Sequence, residues 1–348
     1  MKEEFLDLLA CPETGQVLSL QVTERAANGT IKTGLLKTED GTRQYRIRNG
    51  IPRFCDGGDY AESFAFEWAK FGSTQLESTN VDQKTSDSTR HSFVSQTRLT
   101  EDAIKGKTVV EFGCGPGRFL EIARSMGAMV VGLEITSAVD VAKANLGEDP
   151  DVFLVQGSVL HPPFRRDAFD CGFTIGVLHH TPAPPQGAKA LVDAVKPGGH
   201  VAVSVYPEGG FYSFPSVYWM RKLVNTVETR IGARCARRLA MAYAYLSASI
   251  FYPVFRFVDR IPLVGKPLVG IWAYLFAVII VAPGWRWRVL DTYDAITPTY
   301  ASTHTPEEVE FWLRSAGCTE VKSTDVEFGY TGARPANFTG IKTPGTIT

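Results

Sequence analysis

The chain of 348 residues has only six cysteines, at positions 11, 55, 114, 171, 235 and 318, and no two are spaced as C-x-x-C. Scattered thiols in a chain this long exclude a disulfide scaffold and fit a reducing, cytoplasmic compartment. Long apolar runs are also lacking. The most apolar window, Leu268 to Ala282, lies between Pro267 and Pro283. It falls short of the roughly 20 residues a bilayer span needs, so a buried or interfacial helix is expected there. The start, Met1-Lys2-Glu3-Glu4, has none of the pattern of a signal peptide. No excess of either charge exists, since 36 basic and 37 acidic residues leave a net −1. That balance excludes a uniformly basic, nucleic-acid-coating protein. With 44% hydrophobic and 21% charged residues, wholesale disorder is excluded too. No internal repeat is visible.

Texture divides what is there. Residues 1–58 hold short strand-like runs broken by Asn28-Gly29, Asp40-Gly41 and Asn49-Gly50, the marks of a small β-rich module. Residues 59–105 read as a helical and linker flap. Within them, the aromatics of Tyr60–Phe71 fall at helical spacing, which favours core packing over a lid, and the polar stretch 73–98 reads as a linker or a loose flap. From 106 to 206, β-branched runs alternate with helical patterns, as in a parallel sheet covered on both faces. Residues 207–290 are aromatic, basic and helical. α/β texture returns over 291–330, with a helix from Pro306 to Ala316 and then strand-like segments, and the tail 331–348 looks irregular.

The strongest signal is Val109-Val110-Glu111-Phe112-Gly113-Cys114-Gly115-Pro116-Gly117-Arg118. A strand ends, the chain turns on three glycines, and a helix begins. Glycine permits close backbone approach and positive φ, and the helix start offers free N–H groups. Arg118 occupies the sixth position of a G-x-G-x-x-G loop, so the dinucleotide pattern fails, and no G-K-[ST] follows. Glu111 would repel a pyrophosphate and suits a ligand with ammonium and sulfonium groups. Glu134 ends the next strand, where an acid accepts ribose hydroxyls.

These residues resemble a class I S-adenosylmethionine-dependent methyltransferase. Five stretches carry the likeness: Glu111–Gly117, Val131–Glu134, Val155–Val159, Phe169–Thr181 and Lys196–Gly199. It covers about 90–206 and resumes over 291–330. The resemblance implies a doubly wound seven-stranded α/β sheet. It implies S-adenosylmethionine as cofactor, cradled by Glu111, Gly113, Cys114, Gly115 and Gly117. It gives Glu134 to the ribose, places Ile135 in the cofactor site, and gives Ser158 and Val159 to the adenine. Ile175 and Gly176 lie beside the cofactor. Ser158 departs from the Asp usual in the family. Leu8–Leu18 and Gly50–Phe54 are similar to the zinc-ribbon-derived module that accompanies many methyltransferases. Thr14 replaces its second Cys, and one thiolate cannot build a tetrahedral zinc site, so a metal-free unit is expected.

Transfer from a sulfonium needs alignment more than covalent help, and a hydroxyl acceptor also needs a base. His180 and His304 are the candidates, with Asp294, Asp291 and Tyr293 placed to orient one; His179 reads as a packing residue. The stretch 207–290 holds four of six tryptophans, eleven basic and three acidic residues, a net +8 against −9 elsewhere. It reads as a cap over an acceptor pocket, with a peripheral membrane surface or a homodimer interface as alternatives. The expected function is O-methylation of a small or amphiphilic, lipid-like acceptor. N-, C-, RNA or protein methylation, or a non-catalytic cofactor-binding partner, are the alternatives; nucleic acid is disfavoured.

Overall fold

The computed structural model describes residues 1–57, 59–79, 83–276, 284–324 and 334–344. Its strands are β1 (Leu18–Arg25), β2 (Ile31–Thr38), β3 (Gln44–Arg48), β4 (Ile51–Arg53), β5 (Thr108–Phe112), β6 (Met129–Glu134), β7 (Val152–Gln156), β8 (Phe169–Ile175), β9 (Val195–Ser204), β10 (Cys318–Ser323) and β11 (Asn337–Lys342). They form one sheet in the order β1-β2-β3-β4-β7-β6-β5-β8-β9-β11-β10. From β7 to β10 this is the seven-stranded, Rossmann-like arrangement. The strands β7, β6, β5, β8 and β9 run parallel. β11 sits antiparallel between β9 and β10. The parallel strands are Val-, Leu- and Phe-rich and buried on both faces, as helix-covered strands must be.

The N-terminal strands are not a detached module. β4 pairs in parallel with β7 through Arg53 and Gln156, and β1–β4 extend the seven-stranded sheet. Phe5 stacks on Phe153 of β7 at 4.5 Å, and Phe5, Leu36 and Ile47 share one core with Val110, Phe112 and Phe153. Arg53 closes the seam with a bidentate pair to Asp140 and a 2.8 Å bond to Gln156 Oε1. Cys11 bonds the Tyr45 hydroxyl at 3.2 Å. Among the described residues, no group of three or more His, Cys, Asp or Glu side chains could hold a metal ion.

Two expectations need correction. The polar stretch read as a linker contains the helix Gln83–Thr97. Its Phe93 is fully buried against Phe119 and Phe173, and with Val94 beside it it anchors a helix whose other residues are mostly polar. The supposed irregular tail contains β11, whose Phe338, Thr339 and Gly340 pair with β9. The strand expected to run to 330 lies beyond Thr324 outside the described residues, as does the end of the apolar window at 277–282.

The insertion is mostly helical over its described residues: Pro215–Ile231, Ala233–Leu246, a π-helical turn Ser247–Phe251, Tyr252–Val258 and Gly265–Leu275. Its last helix, Trp285–Ile296, crosses the expected boundary at 290. Ala236, Ala240 and Ala244 recur every fourth residue, one face of a helix. They pack with Val289, Tyr293 and Ile296, small side chains letting the backbones approach. No helix among the described residues is long and apolar enough to cross a membrane.

Candidate active site

Strand order reverses between β5 and β8, and ligands of such sheets bind outside the carboxyl ends of the strands at that reversal. A cavity of about 1030 Å³ opens there. Its floor is the glycine turn. Gly113 has φ +81°, and a Cβ there would lie 2.4 Å from the Val177 side chain; Gly115 has φ +49° and faces the Trp68 indole nitrogen at 3.3 Å. Neither position accepts a side chain without displacing the wall.

Glu134 is fixed at the end of β6. One carboxylate oxygen accepts the Gly115 N–H at 3.1 Å; the other accepts the Thr136 N–H at 2.8 Å and hydroxyl at 2.7 Å. Burial nonetheless raises its pKa, the hydrogen bonds opposing the shift. Glu111 is buried, and its Oε2 meets no hydrogen-bond partner among the described residues. Burial holds it well above the usual carboxylate range, with Arg118 pulling the other way. A buried acid with one oxygen left without a partner among the described residues, beside a glycine cradle and an anchored acid at a strand end, fits a ligand with a cationic end and a diol.

The cavity places most of the expected cofactor residues together: Glu111, Gly113, Cys114, Gly115, Glu134, Ile135, Val159, Ile175 and Gly176 line it. Gly117 and Ser158 do not. Gly117 packs against Leu146. The Ser158 hydroxyl accepts the Leu160 N–H at 3.2 Å and shapes its own turn.

Away from the glycine turn, His180 lines the cavity. Its Nδ1 lies 2.8 Å from the Tyr300 carbonyl, which can only accept. The proton therefore sits on Nδ1 and Nε2 is left as an acceptor. Burial pushes His180 down to about 3, so it is neutral and a weak base. His179 stacks on Tyr206 at 3.6 Å, and its Nδ1 accepts the Tyr206 N–H, the expected packing role. His304 does not line the cavity. It bridges Ser302 at 2.8 Å and Glu308 at 3.2 Å and packs edge-on to Trp312. Beside it, Thr305 and Glu308 form a capping box for the helix Pro306–Ser315, which gives His304 a structural place.

Asp294 does line the cavity and accepts the Tyr206 hydroxyl at 3.0 Å; burial lifts it to about 6. One helical turn earlier, Asp291 is lifted to about 8 by burial and by the charge of Asp294. Glu67 completes the wall. It is fully buried, and neither carboxylate oxygen has a partner among the described residues; burial, then Asp294 and Asp291, raise it well above its ordinary value. Arg118 lies over the Phe119 and Trp287 rings and bonds Gln75 at 3.3 Å, its pKa lowered by burial to about 10.

Sequence reasoning missed Tyr60, Phe64, Glu67 and Trp68, which line the cavity from the segment assigned to core packing, and Arg118, Tyr206, Tyr212 and Trp287. The one available signal was Glu67. A charged residue amid the aromatics of Tyr60–Phe71 is costly to bury without a purpose.

Residues 110–203 match the family model described as "Methyltransferase domain". This part of the chain is a methyltransferase domain. S-adenosylmethionine is the cofactor of this methyltransferase class, and the donor set described above fits it. The chain is 30% identical over 158 residues to a demethylmenaquinone methyltransferase of Desulfitobacterium hafniense, covering 43% of this chain and 61% of that one. It is 32% identical over 108 residues to a ubiquinone biosynthesis O-methyltransferase of Shewanella pealeana, covering 30% and 46%. It is 24% identical over 136 residues to a tRNA U34 carboxymethyltransferase of Desulfotalea psychrophila, covering 34% and 41%. The chain spans about half the length of the curated relatives it matches.

Proposed function

We propose that this protein transfers a methyl group from S-adenosylmethionine to an oxygen of an amphiphilic acceptor. One observation carries the reading: a single cavity runs from the glycine turn and Glu134 to an aromatic wall of Phe211, Tyr212, Phe214 and Trp287. At about 1030 Å³ it is at the upper end of ligand pockets, roughly 300–1,000 Å³, which suits a cofactor and an acceptor side by side. The O-methyltransferase relative supports oxygen as the nucleophile.

When bound, the cofactor supplies a methyl already activated on a sulfonium. Glu134 and the glycine turn would hold its ribose and methionine parts, with Glu111 toward the ammonium. The chain's remaining work is to orient the acceptor and take its proton. His180 presents a neutral Nε2 to the cavity as a hydrogen-bond acceptor for a further polar group of the acceptor. Asp294, near 6, is ionised at neutral pH and is the base, reached directly or through the Tyr206 hydroxyl. The aromatic wall excludes water and receives the apolar body. His304 is outside this mechanism.

The test is incubation with methyl-labelled S-adenosylmethionine and a cell extract, followed by separation into organic-soluble, RNA and protein fractions. The reading requires label in the organic phase as a methyl ether or ester. Label confined to RNA or protein contradicts it.

A further inference from the structure

The helices Tyr252–Val258 and Gly265–Leu275 form a hairpin at the outer end of the cavity. A Cβ on Gly265 would lie 2.3 Å from the Val258 carbonyl, so glycine lets the second helix start hard against the first. The inner side of the hairpin closes the cavity with Phe255, Arg256, Lys266 and Val269. Its outer side is apolar as well: Phe257, Ile261, Leu263, Val264, Leu268 and Ile271 are all exposed. A helix that is hydrophobic all round belongs in a buried setting. The tip is the extreme case. Leu263 is 98% exposed and Phe257 72%, and Leu263 holds a left-handed φ of +68°. Packing within the chain accounts for neither its exposure nor its backbone strain.

Charge identifies the occupant. Arg260 is exposed beside the apolar tip, and Arg256 and Lys266, which line the cavity, are also exposed at its rim. The one acid nearby, Asp259, lies 3.7 Å from Arg256. The insertion as a whole carries +8, so a second copy facing it would bring like charges together, whereas an anionic surface complements it. The hairpin helices are too short to span. Apolar side chains flanked by Arg and Lys suit the headgroup boundary of a bilayer.

We propose that residues 252–276 seat the protein on an anionic lipid bilayer, with the mouth of the cavity at that surface. The second half of the proposal, that the acceptor enters from the lipid, rests on the amphiphilic acceptor proposed above; the docking itself does not.

The experiment is co-sedimentation of the full chain with phosphatidylcholine vesicles, with and without phosphatidylglycerol, at low and high salt. Binding is expected with phosphatidylglycerol, weakened by salt. The double variant Phe257→Asp/Leu263→Asp should lower it about tenfold or more, and Arg260→Glu several-fold. Both variants should keep the wild-type Tm and S-adenosylmethionine affinity, because the altered side chains are exposed and away from the cofactor floor. Absence of vesicle binding, or equal binding by the double variant, overturns the proposal. So does a wild-type dimer that the double variant turns into a monomer, which would assign the face to a second copy. Cofactor titration of the same samples reads the methyltransferase assignment separately, so either can fail alone.

Discussion

Three carboxyl groups, Glu67, Asp291 and Asp294, share one buried wall of the cavity, and burial keeps protons on them into a range where surface carboxyls are ionised. That arrangement has a measurable cost. A carboxyl whose pKa is raised in the folded state binds more protons folded than unfolded, so stability falls as pH rises from the unfolded value to the folded one. For Asp291, with an ordinary value of 3.8 and a folded value of about 8, the loss accumulates between about pH 4 and pH 8. Asp291→Asn should raise Tm at pH 8, by an amount equivalent to roughly 1–3 kcal/mol, and the gain should vanish near pH 4. Melting curves of both proteins across this range check it; parallel curves would contradict it. Asp294 carries a different expectation. As the base it must lose its proton, so kcat/KM should rise through about pH 6. Asp294→Asn should lower kcat by roughly 10²–10⁴-fold with cofactor affinity kept, while His304→Ala keeps kcat. A full-rate Asp294→Asn enzyme removes the base assignment.

At the scale of elements, legibility followed periodicity and special backbone needs. The strand–glycine turn–helix unit at Thr108–Ser125 and the acid ending β6 were readable because only glycine fits φ +81° at Gly113 and because Glu134 sits at a strand end. The helix Gln83–Thr97 was not readable. Its Ser, Thr and Gln residues carry no apolar stripe; Phe93 and Val94 are its apolar side chains, Phe93 the fully buried one, and Gln96 accepts the Ser204 hydroxyl, a contact no local pattern announces. Phe93→Ala should therefore destabilise the fold by about 3–5 kcal/mol in urea unfolding. A loss below about 1 kcal/mol would mean this helix is the loose flap its composition suggests. Tyr60–Phe71 does pack in the core through Phe66 and Phe71, but its cavity side was not readable, because helical aromatic spacing marks an apolar face and not what it faces. Phe71 packs into the insertion's core while Phe64, Glu67 and Trp68 turn to the cavity.

At the scale of the whole molecule, the sequence boundaries dissolve into two structural facts. The N-terminal strands continue the methyltransferase sheet through Arg53 and Gln156, a pairing between residues about a hundred positions apart that no local pattern announces. The insertion's last helix carries Asp291 and Asp294 into the site. The net charge of −1 is the sum of a basic, aromatic cap and an acidic remainder, and cofactor floor and acceptor wall meet in one cavity. That meeting is the central claim, and its cofactor half is directly measurable. Calorimetric titration of the full chain with S-adenosylmethionine should show one site per chain. Glu134→Ala should weaken it at least about a hundredfold, since it removes a buried charged hydrogen-bond acceptor. Gly115→Val, strained at φ +49° and pressed on Trp68, should do the same. No binding by the wild-type protein, or unchanged affinity in both variants, would contradict the account.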